Sequence, residues 1–412
     1  MRPILNAINV PVGARDSAMS RSVAVIESLD LDFAGSRTGH LTHGLHPYPA
    51  KFIPQIPNLL IRELSLPGDT VADIFCGSGT TAIEAMVLGR HAVGIDANPL
   101  ACLITKAKTT RFRPGEKEIL DSLAAEADKL GQDIAEQQGH LFGGESMLNR
   151  KAPIPPDESL AFWFEPFVME ELSHLVARCR SLPIESVRTV ALVALSSIIV
   201  NVSKQDSDTR YVRRAKRIMH GETVQRFARA LSGMTGAIQE FTDRVAPNLT
   251  CTIHEANLLQ EPEVRPFDLM VCSPPYPNAY SYHLYHRTRM LWLGMDQPRF
   301  KREEIGSHRK YSSKGSNGAT VHTFKAEMEL ILRWMGRYLK RDGLACFVIG
   351  DSTLKGLKVN NADLISEAGS ENGFQEVSRA TRQIQTSKKS FNPAIGKIKD
   401  ERILILQNVN EN

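Results

Sequence analysis

Apolar and polar positions change period along the chain, and each change marks an element. In HPYPAKFIPQIPNLLIREL, residues 46–64, a proline-punctuated loop runs into a stretch whose Ile56, Leu59, Leu60 and Leu64 recur at helical spacing. TVADIF, 70–75, is a short apolar run suited to a buried parallel strand. CGSGTT and a helical AIEAMVLG follow it, and HAVGID, 91–96, reads as a second strand. Strand, glycine loop, helix and strand within so short a span predict a right-handed βαβ unit.

Residues 115–240 read mostly as helix, broken by a proline-rich segment at 152–156. Strand patterns return at 250–258, 267–273 and 344–352, the last preceded by a helix near 323–339, and FQEVSRATRQI and ERILILQNV close the chain as paired edge strands. The stretch 303–322 has no periodicity and is expected to be a mobile loop; residues 1–40 are expected to form a weakly structured arm. The pattern predicts a catalytic α/β domain in two pieces, 41–110 and 246–412. A helical insertion, 111–245, lies between them.

Composition narrows the classes. With 42% hydrophobic and 23% charged residues, the chain is too apolar for wholesale disorder. The most apolar run, 190–202, is interrupted by Ser196, Ser197 and Asn201 and falls short of a membrane span. The first residues lack the apolar core of a secretory signal, so an intracellular, cytoplasmic protein without a membrane partner is expected. The six cysteines stand singly, with no metal-clamping spacing, and no metal is expected. Net charge is only +4, but it is unevenly spread: 203–230 and 287–314 each carry eight Lys or Arg against three acids, and 379–399 six against none. Three basic patches point to a polyanion.

Two motifs carry chemistry. Asp73, Phe75, Gly77, Gly79 and Thr80 belong to a glycine loop between strand and helix, where missing Cβ atoms let a ligand approach. Asp96 closes the next strand, where a carboxylate can accept bonds from both ribose hydroxyls. The loop lacks the third glycine of a dinucleotide site and the lysine of a P-loop, so a nucleoside cofactor without a diphosphate is favoured. The second motif is Ser273-Pro274-Pro275-Tyr276, directly after the strand FDLMVC. Two prolines force the chain out of the sheet with fixed carbonyl directions. The Ser273 hydroxyl and the Pro274 carbonyl can hold an exocyclic amine while its nitrogen pyramidalises, and Tyr276 can stack on an extruded base.

Together HPYPAKFIPQIP, the glycine loop with VGIDANPLA, and SPPY resemble the amino-group-specific S-adenosylmethionine-dependent DNA methyltransferases. The resemblance is close over about 43–105 and 265–295. It implies a Rossmann-like fold with a mostly parallel, doubly wound sheet, S-adenosylmethionine as cofactor, and DNA with a flipped target base as substrate. A cognate restriction enzyme or defence-system partner is implied as well. Carried over by position, Phe75, Gly77 and Gly79 line the methionine moiety, Asp96 takes the ribose, and Tyr48, Lys51 and Phe52 cover the methionine end. The S-P-P-Y form is similar to that of cytosine-N4 enzymes; adenine-N6 methylation, RNA guanine-N2 methylation and a silent DNA-binding subunit are the alternatives. Many cytosine-N4 members place the catalytic motif before the cofactor motif, whereas here it follows.

Beyond the motifs, Asn257 either contacts the adenine ring or caps a turn. Arg210, Arg213, Arg214 and Arg217 are expected at the DNA through the helical insertion, with Arg287 and Arg289 as further phosphate ligands from the alternative recognition region, 285–322. Trp163 is expected in the core. His283 and His286 are expected in satisfied surface positions.

Overall fold

The computed structural model describes residues 23, 25–137, 148, 153–277, 280–312, 318–354, 356–384 and 400–411. Most of the expected arm, 1–40, and most of the third basic patch therefore lie outside the described residues.

Helix α1 (Gln55–Leu64) buries the four residues that its period singled out. It leads into β1 (Thr70–Asp73), α2 (Thr80–Val87), β2 (His91–Asp96) and α3 (Pro99–Lys108), the βαβ unit legible in the sequence. After the inserted helices come β5 (Cys251–Glu255), β6 (Phe267–Cys272), the long helix Val321–Tyr338, β7 (Leu339–Gly350), the short pair β8 (Ser352–Leu354) and β9 (Leu357–Val359), and the terminal pair β10 (Phe374–Gln383) and β11 (Asp400–Asn408). Among the described residues, seven of these strands join one sheet in the order β10-β11-β7-β6-β1-β2-β5. Five are parallel, β11 runs antiparallel against β7, and β10 alone of the terminal pair lies at the edge. Apolar clusters cover both faces, which is why the central strands read as continuous apolar runs.

Among the described residues, five helices fill the insertion: α4 (Glu116–Gln137), α5 (Ser159–Trp163), α6 (Pro166–Arg180), α7 (Glu185–Val202) and α8 (Glu222–Arg244). Helix α7 has the length and apolarity of a membrane span, but it is the central helix of this bundle, with Val187, Val190, Ala194 and Ile199 fully buried. Between α7 and α8 the helical reading fails. Residues Gln205–Ser207 (β3) and Arg210–Arg213 (β4) pair as an antiparallel hairpin, because a charge-rich segment without an apolar stripe has nothing to bury against a neighbouring helix.

The expected mobile loop, 303–322, is helical in part: α12 (His308–Ser312) lies inside it, 313–317 lie outside the described residues, and the short helices α9 (Tyr282–Tyr285), α10 (Arg287–Leu293) and α11 (Gln297–Glu303) fill the region between β6 and that stretch. Met290, Trp292 and Phe300 from this segment share one apolar cluster with the five inserted helices.

Candidate active site

Strand β1 lies between β2 and β6, so the carboxyl ends of three neighbouring parallel strands meet where the sheet order reverses. That crevice is where open α/β sheets bind ligands. Asp73 and the glycine loop leave β1, Asp96 ends β2, and Ser273-Pro274-Pro275-Tyr276 leaves β6. Register fixes the juxtaposition: Val71 pairs with Leu269, and Ala72 with Met270.

The glycine loop is held from three sides. Gly79 N–H donates to the Cys76 carbonyl at 2.7 Å, and Gly77 N–H donates to Asp96 Oδ2 at 2.9 Å. Thr105 of α3 donates its hydroxyl to the Gly77 carbonyl at 3.0 Å. Gly77 (φ 49°) and Gly79 (φ 82°) sit in the left-handed region, and a Cβ on Gly79 would lie 2.7 Å from Thr105 Cγ2. Only glycine meets both conditions.

Asp96 uses one lone pair per oxygen internally: Oδ1 accepts from Asn98 N–H at 2.8 Å and Oδ2 from Gly77 N–H. The remaining lone pairs are available to a diol. Burial pushes its pKa up to about 6 against the opposing pull of those two N–H groups. Asp73 is pushed higher, to about 7, again by burial. Its Oδ1 accepts from Phe75 N–H at 3.1 Å, which shapes the turn and leaves Asp73 a structural acceptor. Ser78 Oγ is buried without a partner among the described residues, and an orphaned hydroxyl beside the glycines fits a polar group of a bound nucleoside.

A covering segment lies over this floor. The Tyr48 ring carbon Cε1 stands 3.4 Å from where a Gly77 Cβ would be, and its hydroxyl accepts from Asn98 Nδ2 at 3.2 Å. The ring packs on His286, 5.1 Å between centroids, and on Tyr282, 5.6 Å. Lys51 donates to the His43 carbonyl at 2.8 Å, with its pKa lowered by burial; Phe52 is half-buried beside it. Asn98, Thr105 and Tyr282 touch the glycine loop or its cover, and the motif reading did not name them. Asn98 carried a signal, since Asn before Pro-Leu is an N-cap pattern, and its side chain does cap α3.

At the Ser273–Tyr276 motif, Pro274 is buried and Ser273, Pro275 and Tyr276 are partly exposed. Gly306 packs on the backbone there: a Cβ on it would fall 2.9 Å from the Tyr276 carbonyl. The Tyr276 hydroxyl donates to Glu401 Oε1 at 3.1 Å, and Glu401 Oε2 accepts from Arg382 at 3.0 Å. Burial, reinforced by Glu401, holds the phenol well above its usual pKa, so the ring is fixed as a neutral donor. Cys272 is wholly buried with its thiol pushed up by burial, which removes it as a nucleophile.

The remaining expectations divide. Asn257 takes the capping role, its side chain accepting from Leu259 N–H at 3.0 Å. Trp163 is core. Arg289 is a correction: it is fully buried, donates to the Ser196 carbonyl at 2.9 Å and pairs with Asp208, so no phosphate reaches it. Arg287 is partly exposed but paired with Asp157 at 2.9 Å. His283 and His286 are both buried, contrary to the surface placement. His283 bonds Glu304 at 2.5 Å, and the ring nitrogens of His286 have no partner among the described residues. Arg210, Arg213, Arg214 and Arg217 are exposed on and after the hairpin. Arg210 and Arg214 lie 3.4 and 3.3 Å from Asp206, and Arg213 lies over the Phe162 ring at 4.8 Å.

Residues 26–107 match the model of a family described as DNA methylase, the N6/N4 methyltransferases. The type II methyltransferase M.MjaII of Methanocaldococcus jannaschii is 25% identical over 406 residues, covering 79% of this chain and 74% of that protein. M.MvaI of Kocuria varians is 26% identical over 283 residues, covering 64% and 60%, and M.BsoBI of Geobacillus stearothermophilus 25% over 291 residues, covering 63% and 54%. These matches support a place in the N6/N4 amino-methyltransferase family. The mostly parallel sheet and its crevice fit the S-adenosylmethionine that the family resemblance implies. The matches with M.MvaI and M.BsoBI span less than two thirds of either protein.

Proposed function

We propose that this chain methylates the exocyclic N4 of cytosine in DNA at a specific sequence. The carrying observation is the adjacency fixed by β1 and β6, which brings Ser273-Pro274-Pro275-Tyr276 beside the loop that holds the cofactor. When bound, the cofactor supplies an electrophilic methyl on a sulfonium. Asp96 orients the ribose, and the left-handed glycines allow backbone approach. Ser273 Oγ and the Pro274 carbonyl accept from the target amine and direct its lone pair. Positioning then provides most of the acceleration. Tyr276, clamped by Glu401, presents its ring to the base without swinging. Arg210, Arg213, Arg214 and Arg217 face the DNA phosphates from the hairpin. Serine at the first motif position favours cytosine N4 over adenine N6. Digesting methylated DNA to nucleosides and identifying the product by mass spectrometry tests this: N4-methylcytosine is expected, N6-methyladenine would establish the adenine reading, and no methylated base would overturn both.

A further inference from the structure

Two imidazoles and a carboxylate converge at α2, apart from the residues of the two motifs. His43 Nε2 lies 2.6 Å from Glu84 Oε1, and His40 Nε2 lies 3.3 Å from the same oxygen. All three donor atoms fall within 4.8 Å of one another. Glu84 Oε2 is occupied separately, accepting from Asn58 Nδ2 at 2.7 Å. One carboxylate oxygen thus faces two imidazole nitrogens while its partner oxygen is held by a neutral amide. That is the division of labour in a metal site with a supporting outer shell.

The geometry points to a divalent transition-metal site of the Zn²⁺ class at His40, His43 and Glu84. Imidazole and carboxylate are the donors such an ion prefers, and three protein ligands leave the fourth tetrahedral position to water. Bonds of about 2.0 to 2.1 Å place tetrahedral donors roughly 3.4 Å apart. His40 to Glu84 is already at that separation, and His43 and Glu84, now in direct contact, open slightly around an ion. His40 has a side chain 42% exposed, so it can turn to close the remaining gap and keep the water position open to solvent. His43 and Glu84 are buried, which removes competition from bulk water. Two ammonium groups fix the backbone of this turn, Lys51 and Lys108 donating to the His43 carbonyl at 2.8 and 3.2 Å.

The placement gives the ion a task. His40 and His43 precede the covering segment that bears Tyr48 and Lys51, and Glu84 belongs to the helix that starts from the glycine loop. A bound ion clips the cover to the helix beneath it. Cysteine spacing, the usual sequence signal, could not reveal a site whose third ligand lies 41 residues downstream.

Tag-free, full-length protein is stripped with EDTA, then titrated with ZnCl₂ by calorimetry, with metal content measured after gel filtration and melting followed in parallel. A single Zn²⁺ per chain and a raised melting temperature are expected. Asn58→Ala should weaken Zn²⁺ by about 10- to 100-fold and His40→Ala by more than that. Because His40 is largely at the surface, stripped His40→Ala should melt with stripped wild type. Co²⁺ substitution of the wild type, which needs no variant, should give the intense visible bands of a tetrahedral site. Wild-type protein that retains no Zn²⁺, Zn²⁺ affinity unchanged in His40→Ala, or Co²⁺ spectra that stay octahedral would each overturn the site.

Discussion

Arg289 donates its Nε–H to the carbonyl of Ser196 at 2.9 Å, joining the segment after the catalytic motif to the central helix of the inserted bundle. Its terminal nitrogen pairs with Asp208, and the neighbouring Thr288 donates its hydroxyl to Gln205 Oε1 at 3.2 Å. The basic residue that sequence places at the DNA is instead the internal fastener of the protein.

Arg289→Ala should therefore lower stability by about 3 kcal/mol, because removing one partner of a buried pair leaves the other and a backbone carbonyl unpaired. Thermal melting checks the size. The salt dependence of DNA binding by the folded variant should equal that of wild type.

The exposed arginines should behave in the opposite way. Replacing Arg213 and Arg214 with alanine is expected to leave the melting temperature nearly unchanged and to flatten the slope of log K against log salt by about 2, one phosphate contact per residue. Binding titrations across a salt series measure this.

Asp96→Asn should weaken S-adenosylmethionine binding by roughly 10- to 150-fold for each charge-assisted bond lost, at about 1.5 to 3 kcal/mol per bond. A pH effect accompanies it. Burial raises Asp96 to about 6 from an unfolded value of 3.8, so the folded state takes up this proton first and wild type gains stability as pH falls through that window. The asparagine variant has no such proton. Its melting temperature relative to wild type should fall between pH 8 and pH 5, while wild-type cofactor affinity falls over the same range as the carboxylate is neutralised. Calorimetry and melting curves at matched pH separate the two trends.

Ser273→Ala should preserve cofactor and DNA binding and reduce kcat by roughly 10- to 150-fold, the worth of one strong hydrogen bond formed as charge develops on the amine. Single-turnover methylation measures it directly. Tyr276→Phe should cost less, since Glu401 keeps its bond to Arg382.

The sequence disclosed those parts of the fold whose signal is local. Strands β1, β2 and β6 are buried on both faces and read as apolar runs; the loops after β1 and β6 need glycine and proline for backbone reasons that any reader of the chain can apply. What it concealed depends on contacts between distant residues. Arg289 looks like any surface arginine until Asp208, 81 positions away, is found beside it. The His283 ring is buried because Glu304 meets it. Helices α11 and α12 are seven and five residues long, too short for a period to register. Hairpin β3–β4 offers no apolar face from which to infer its pairing.

The shared core of Met290, Trp292 and Phe300 with the bundle sets a rule for building chimaeras. Exchanging residues 111–245 alone for a relative's insertion would strand these three side chains against a foreign surface and leave Arg289 without Asp208. A transplant that carries 280–304 together with 111–245 keeps the seam intact. Exchanging the insertion as a module thus requires two cuts in the chain for each graft, one pair on either side of β5 and β6, with Ser273-Pro274-Pro275-Tyr276 left in place between them.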